Sequence, residues 1–159
     1  MCQCHGFTHG DVHARNIARY APAPGLPAAR FYLFDLGTAS TADEWQQPGW
    51  TSPVCLLFSC YELMLHEQLP GPLADLQSLV FVALSLAGFQ LPWAEAAAQH
   101  NSLMAHAERI LFMENPGQLP GWAQLFSPEL RQVLEQVLAT ALRGRCEQQE
   151  LVDSLARKW

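Results

Sequence analysis

Lysine is almost absent from the chain: among 159 residues only Lys158 carries an ammonium side chain, so chemistry that needs an interior ammonium falls to arginine or to another polypeptide. Basic residues are scarce altogether. Nine Lys and Arg against fifteen Asp and Glu give a formal net charge of −6, the wrong sign for gripping a phosphate backbone nonspecifically, so no nucleic-acid partner is expected. Long hydrophobic runs are also missing. The most apolar stretch, Leu79 to Phe89, is too short for a membrane span and is interrupted by Ser85 and Gly88, and the first ten residues lack the basic and apolar regions of a signal peptide. The expectation is a soluble intracellular protein, cytoplasmic or nuclear, with no membrane association. Five cysteines, an odd number spread from Cys2 to Cys146, fit free thiols in a reducing compartment rather than a disulfide framework. No internal repeat or low-complexity linker divides the chain.

What is present is apolar material in quantity. Half the residues are hydrophobic and 15% are charged, enough to bury one core and against extended disorder. The first part reads as loops and short strands. Phe7 to Asn16 mixes His, Gly, Asp and Asn in the manner of a functional loop. Ile17 to Tyr20 and Phe31 to Phe34 are strand candidates joined by the Pro/Gly/Ala stretch from Ala21 to Ala29, which predicts a hairpin. Asp35 to Ser52 is polar and without period, an exposed excursion.

Helices are expected afterwards. Pro53 to Leu65 has apolar residues at helical spacing, with Ser52 as a cap and Pro53 in the first turn. Leu73 to Leu86 is apolar almost all round and reads as the central, buried helix. Ala94 to Met113, Pro128 to Leu142 behind Ser127, and Gln148 to Lys158 complete the set, with Pro116, Gly117, Pro120 and Gly121 breaking the first of these from the second. Trp93 and Trp122 are expected in the core. The fold class is mainly α, with a small β-hairpin at its start.

The most specific local signal is His9-Gly10-Asp11-Val12-His13-Ala14-Arg15-Asn16, followed beyond the hairpin by Asp35-Leu36-Gly37. Phosphoryl transfer needs one carboxylate to orient the attacking hydroxyl, and an Asn five residues on plus a second Asp behind the next strand to hold Mg²⁺. Asp11, Asn16 and Asp35 have that spacing, and Phe31-Tyr32-Leu33-Phe34 supplies the strand that the metal Asp should follow. Cys2, Cys4, His5, His9 and His13 lie close together and are zinc-ligand types. Their Cys-x-Cys-His spacing lacks the second, separated pair that closes a tetrahedral site, so no zinc is expected.

With these residues in order, the chain resembles the C-terminal lobe of the protein kinase superfamily. Leu73-Ala74-Asp75-Leu76-Gln77-Ser78-Leu79 and Leu91-Pro92-Trp93 are similar to elements of casein-kinase-1-like, vaccinia-related and fungal-type protein kinases. The resemblance spans residues 1–159 and implies a catalytic loop at 9–16, an activation segment at 35–62 and a helical subdomain at 63–159. It implies transfer of the ATP γ-phosphate to protein Ser or Thr hydroxyls, with Asp11 as catalytic base, Asn16 and Asp35 as Mg²⁺ ligands, and His13 beside the ATP phosphates. It also implies structural roles: His9 packed inward beside Leu36, Asp75 hydrogen-bonded to the catalytic loop, and Glu62 paired with Arg145.

Several positions depart from that pattern. Gly10 replaces an arginine that reads a phosphorylated activation loop, which implies weak phospho-regulation through Thr38, Ser40, Thr41, Thr51 or Ser52. His13 replaces a phosphate-contacting lysine, and His-Gly-Asp-x-His-x-x-Asn is also the wording of small-molecule phosphotransferases resembling aminoglycoside and choline kinases. Cys60-Tyr61-Glu62 is a degraded Ala-Pro-Glu. Only eight residues precede the catalytic loop, so the glycine-rich loop, the strand lysine and its helix glutamate are missing. The isolated chain is therefore expected to be inactive, its N-lobe lying upstream or being supplied in trans. Two other readings stand beside the protein kinase with its protein substrate: a non-catalytic, pseudokinase-like module that binds a protein partner, and a small-molecule phosphotransferase. If Glu62 and Arg145 form the implied buried pair, Arg145→Ala costs about 3–5 kcal/mol. Thermal unfolding checks this, and an unchanged melting temperature contradicts the register.

Overall fold

The computed structural model describes residues 7–20, 30–45, 55–60, 73–143, 150–151, 153–155 and 157. Glu62, Arg145, Cys2, Cys4 and His5, and with them the implied ion pair and most of the zinc-type cluster, lie outside the described residues. The chain is mostly helical, with two small antiparallel sheets near its start.

Strand β1 (Phe7–Thr8) pairs with β4 (Ser40–Thr41), and β2 (Ile17–Tyr20) pairs with β3 (Arg30–Leu33). In register, Phe7 faces Thr41 and Thr8 faces Ser40, while Ile17 faces Leu33 and Arg19 faces Phe31. The expected hairpin is present. Through Trp45, the polar stretch after it is more ordered than its composition suggests. Leu36–Thr38 forms a 3-10 turn, β4 follows, and helix α1 (Ala42–Trp45) begins where the Thr41 hydroxyl accepts from the Glu44 amide at 3.3 Å and the Glu44 carboxylate accepts from the Thr41 amide at 2.7 Å. That reciprocal capping box satisfies amides that an isolated turn leaves to water.

The helical body is built on α2 (Ala74–Leu86). Val80, Phe81, Val82 and Leu84 are all buried, as expected of a helix apolar nearly all round. It ends in a Schellman motif: Phe89 donates to the Leu84 carbonyl and Gly88, at φ +83°, to that of Ser85, both at 3.0 Å. Helix α3 (Ala94–Ala98), α4 (Ser102–Glu114), α5 (Trp122–Leu125) and α6 (Pro128–Ala141) pack around it. Ser127 caps α6 by accepting from the Leu130 amide at 3.3 Å, with Pro128 in the first turn.

Two helix expectations fail, for identifiable reasons. Ala94 to Met113 is not one helix. His100, at φ +55°, donates to the Ala97 carbonyl and Asn101 to that of Ala96, which closes α3 with the same motif that ends α2. Asn101 then opens α4, its side chain accepting from the Met104 amide at 3.1 Å. Pro53 to Leu65 is not helical through its described part either. Residues 55–60 form one turn and a bend. The Trp93 indole donates to the Leu57 carbonyl at 2.8 Å and the Arg109 guanidinium to that of Leu56 at 2.5 Å, so side chains from the helical body take carbonyls that a helix would have used.

A run of edge-to-face aromatic contacts crosses the core, Phe81 to Trp93 at 4.9 Å, Trp93 to Phe112 at 5.5 Å and Phe112 to Trp122 at 5.9 Å between centroids. Both tryptophans are buried as expected. Arg109 lies wholly buried among them, its guanidinium 4.9 Å from the Trp93 ring centre and 5.4 Å from that of Phe81. Among the described residues its Nε and Nη1 have no hydrogen-bond partner. Burial lowers the guanidinium pKa to about 10, with the nearby Cys60 and Cys55 groups acting the other way.

Among the described residues this buried cation meets no carboxylate, only the packing of its stem, the two rings and the Leu56 carbonyl. Arg109→Met, which keeps the stem and removes the charge, is expected within about 1 kcal/mol of wild type, whereas Arg109→Ala opens a cavity and costs about 2–5 kcal/mol. Chemical denaturation checks the pair. Equal losses in both variants contradict the account, because they require a carboxylate partner for the charge.

Candidate active site

Two loops lie side by side because their flanking strands pair at both ends. One runs from β1 through residues 9–13 to a 3-10 turn at Ala14–Asn16 and into β2; the other leaves β3, passes through residues 34–39 and enters β4. The β1–β4 and β2–β3 pairings therefore clamp the Asp11 loop against the Asp35 loop. A backbone hydrogen bond from Phe34 to Asn16, 3.0 Å, extends the second ladder to the residue before Asp35.

Asp75, in the first turn of α2, fastens this pair of loops to the helical body. Its carboxylate accepts from the His9 amide at 2.8 Å and from the Gly10 amide at 3.1 Å. Two backbone donors that would otherwise be left without partners as the loop turns inward are thus satisfied by one side chain. Burial holds the Asp75 carboxyl above the usual carboxylate range, against the lowering effect of those two amides and of His9.

His9 is completely buried, as expected. Its Nδ1 accepts from the Asp11 amide at 3.3 Å and its Nε2 lies 3.0 Å from the Phe34 carbonyl. That pattern sets the tautomer, since Nδ1 must be bare to accept and Nε2 must carry the proton to donate. The imidazole so bridges the two loops. Leu36, expected to pack beside it, is 60% exposed instead. The third bridge comes from Thr38, whose hydroxyl donates to the His9 carbonyl at 2.9 Å. Gly10 sits opposite with φ +80°, where an added Cβ would lie 3.2 Å from the Thr38 carbonyl. At this position a side chain meets both backbone strain and crowding.

The structure brings Asp11, His13 and Asn16 together. The Asn16 amide nitrogen donates to the Asp11 carbonyl at 3.0 Å and to its Oδ2 at 3.3 Å, and His13 Nε2 also lies 3.3 Å from that oxygen. His13 Nδ1 accepts from the Arg15 amide at 3.2 Å and caps the 3-10 turn. The amide nitrogen of the buried Asn16 is thereby committed to Asp11. Asp35 is exposed and adopts the left-handed conformation, φ 62°, which Asp tolerates better than most residues. Its Oδ1 accepts from the Gly37 amide at 3.3 Å.

Asp11, half-buried, and Asn16, buried, thus lie on one loop, and the exposed Asp35 lies on the loop paired with it. Among the described residues no three His, Cys, Asp or Glu side chains gather as a metal cluster. The donors nevertheless fit magnesium, which takes oxygen ligands and commonly uses one or two from the protein, with phosphate and water completing the shell. Thr38 is the contributor that sequence reasoning missed. Asp35-Leu36-Gly37-Thr38 signals a turn, but nothing local marks the hydroxyl as a bridge to His9. No family model matches the chain, and no curated protein or solved structure matches it either. No helix among the described residues is long and apolar enough to cross a membrane.

Asp75→Asn keeps one acceptor but sets an amide N–H against a backbone N–H, so a loss of about 1–3 kcal/mol is expected at neutral pH. A carboxyl whose folded pKa is raised contributes stability that is fully present below its ordinary value and declines as pH rises through the folded one. The stability difference between wild type and Asp75→Asn should therefore be larger at pH 4 than at pH 7 in urea unfolding. A gap that narrows toward pH 4 contradicts the burial of this carboxylate.

Proposed function

We propose that the chain is the helical lobe of a protein kinase-like phosphotransferase, carrying the catalytic loop that directs the γ-phosphate of ATP to a Ser or Thr hydroxyl. The arrangement of Asp11, Asn16 and Asp35 on two clamped loops carries this reading. Asp11 Oδ2 is held by Asn16 and His13, which leaves Oδ1 as the atom to receive the proton of an attacking hydroxyl. The Asn16 amide oxygen and the Asp35 carboxylate would hold Mg²⁺, and His13 lies beside them. When bound, Mg·ATP supplies the transferable phosphoryl group and offsets its charge.

The residues here orient a hydroxyl and a metal ion; they do not grip the α- and β-phosphates. Lys158 is the one lysine in the sequence, so a strand lysine must come from other polypeptide, upstream or in trans. The isolated chain is expected to bind Mg·ATP weakly and to turn over negligibly. A non-catalytic binding module is the second reading, favoured by the exposed apolar run Phe31–Phe34.

Thermal unfolding with and without Mg·ATP tests the first reading. Weak binding sets the scale: at a free ligand concentration near Kd the expected stabilisation is about 0.4 kcal/mol, a rise of roughly 1–2 °C that grows as the concentration exceeds Kd. Asp35→Asn retains the left-handed backbone and the cap on Gly37, and should lose most of that rise. No rise in wild type at about 20 mM Mg·ATP, or an equal rise in Asp35→Asn, overturns the proposal.

A further inference from the structure

The His13 ring is held from both sides. Its backbone is extended at the start of the Ala14–Asn16 turn, with φ −148° and ψ 168°, and the imidazole meets the residue two before it and the residue two after. Nδ1 accepts from the Arg15 amide at 3.2 Å, and Nε2 lies 3.3 Å from Asp11 Oδ2. The His13 and Asp11 side chains are 19% and 23% exposed, so their contact is largely shielded from the water that would compete for both groups.

The two contacts make opposite demands. A nitrogen that accepts from a backbone N–H must be bare, and one that faces a carboxylate must carry a proton. Only the imidazole with its proton on Nε2 alone meets both. Neither nitrogen is then left over: no donor remains for a phosphate oxygen, and no lone pair remains to take a proton from Asp11. A lysine in this place would have donors for a phosphate but no acceptor for the Arg15 amide.

Asp11 is correspondingly asymmetric. The Asn16 amide nitrogen divides itself between the Asp11 carbonyl at 3.0 Å and Oδ2 at 3.3 Å, so its hold on the carboxylate is shared. His13 gives Oδ2 a second donor. Two donors on one oxygen fix the carboxylate plane and leave the other oxygen available.

We propose that His13 is a positioning residue, an imidazole protonated on Nε2 that fixes the Asp11 carboxylate with Oδ1 free for the acceptor hydroxyl and does not contact the ATP phosphates. This role rests on the phosphotransfer reading, which assigns Asp11 its task. It also narrows that reading, because the proton that Asp11 Oδ1 receives has no onward route through His13.

Nuclear magnetic resonance of the full chain near neutral pH, without nucleotide, tests the role. Wild-type His13 should show the nitrogen pattern of one tautomer, Nε2 protonated and Nδ1 bare, and Asp11 the Hα–Hβ couplings of a single χ1 rotamer. His13→Asn keeps an acceptor that caps the turn but is too short to reach Oδ2. The Arg15 amide should keep its exchange rate while the Asp11 couplings collapse to rotamer-averaged values. His13→Gln reaches Oδ2 with an amide N–H and gives up the cap, so Arg15 exchange should rise roughly fivefold, the loss of one ordinary hydrogen bond, with the Asp11 couplings kept. Unchanged Asp11 couplings in His13→Asn show a cap and nothing more, and overturn the proposal. If that variant does not fold, the wild-type tautomer decides, since a proton on Nδ1 or a mixture of tautomers overturns it as well. So does a wild-type His13 that gains a second proton on adding about 20 mM Mg·ATP, the behaviour of a phosphate contact. Absence of Mg·ATP stabilisation removes the phosphotransfer reading without moving the nucleotide-free couplings or tautomer, so the two failures are distinguishable.

Discussion

The arrangement of the candidate site depends on one carboxylate. Asp75 joins the amides of His9 and Gly10 to the first turn of α2, across 66 and 65 residues of sequence. The strand pairings hold the two loops to one another, but only weakly to the helices. Hydrogen bonds to a charged acceptor are stronger than neutral ones, although at Asp75 burial outweighs them in its effect on ionisation. The carboxylate is partly desolvated to make them, and its position in the first turn of α2, near the positive end of the helix dipole, offsets some of that cost. Remove it and His9, Thr38 and Phe34 would still connect the loops, without fixing their place against the core.

A gradient of order follows from this. The helical body is densely packed around Phe81, Trp93, Phe112 and Trp122, whereas the hairpin beyond Asn16 and Phe34 is exposed along β3. Asp11 and Asn16 lie near the fastened end, and Asp35 lies one residue beyond the last bond of the hairpin ladder. Groups that must orient a hydroxyl benefit from the rigid end, and a residue that must meet an incoming metal–phosphate complex benefits from the open one. The proposed chemistry is consistent with that placement.

Much of the architecture was legible from periodicity and punctuation. The all-apolar run of α2, the Ser127-Pro128 start of α6 and the hairpin strands beside the Pro/Gly stretch each carry a local signal that tertiary packing did not override. The misses share a cause: backbone groups were claimed by partners that no local pattern reveals. His100 closes α3 in a conformation usually signalled by glycine, so Ala94 to Met113 looked continuous. Leu56 and Leu57 lost their carbonyls to Arg109 and Trp93, so a helical spacing became a turn. Arg109 itself reads as part of a polar helix face, since only three dimensions place it under two aromatic rings. Within the site, the spacing of Asp11, Asn16 and Asp35 was visible, and the Asp75 contact followed from family resemblance alone. The bridges through His9 and Thr38 needed the structure.

Native-state hydrogen exchange at the amides of His9 and Gly10 tests the central claim, that Asp75 makes the loop part of the helical core. If the claim holds, both amides exchange only through the opening that also releases the α2 amides around Phe81, with the same free energy and the same denaturant dependence. Exchange at the rate of the exposed hairpin amides, with little dependence on denaturant, would show a loop that moves independently of α2 and contradict the account.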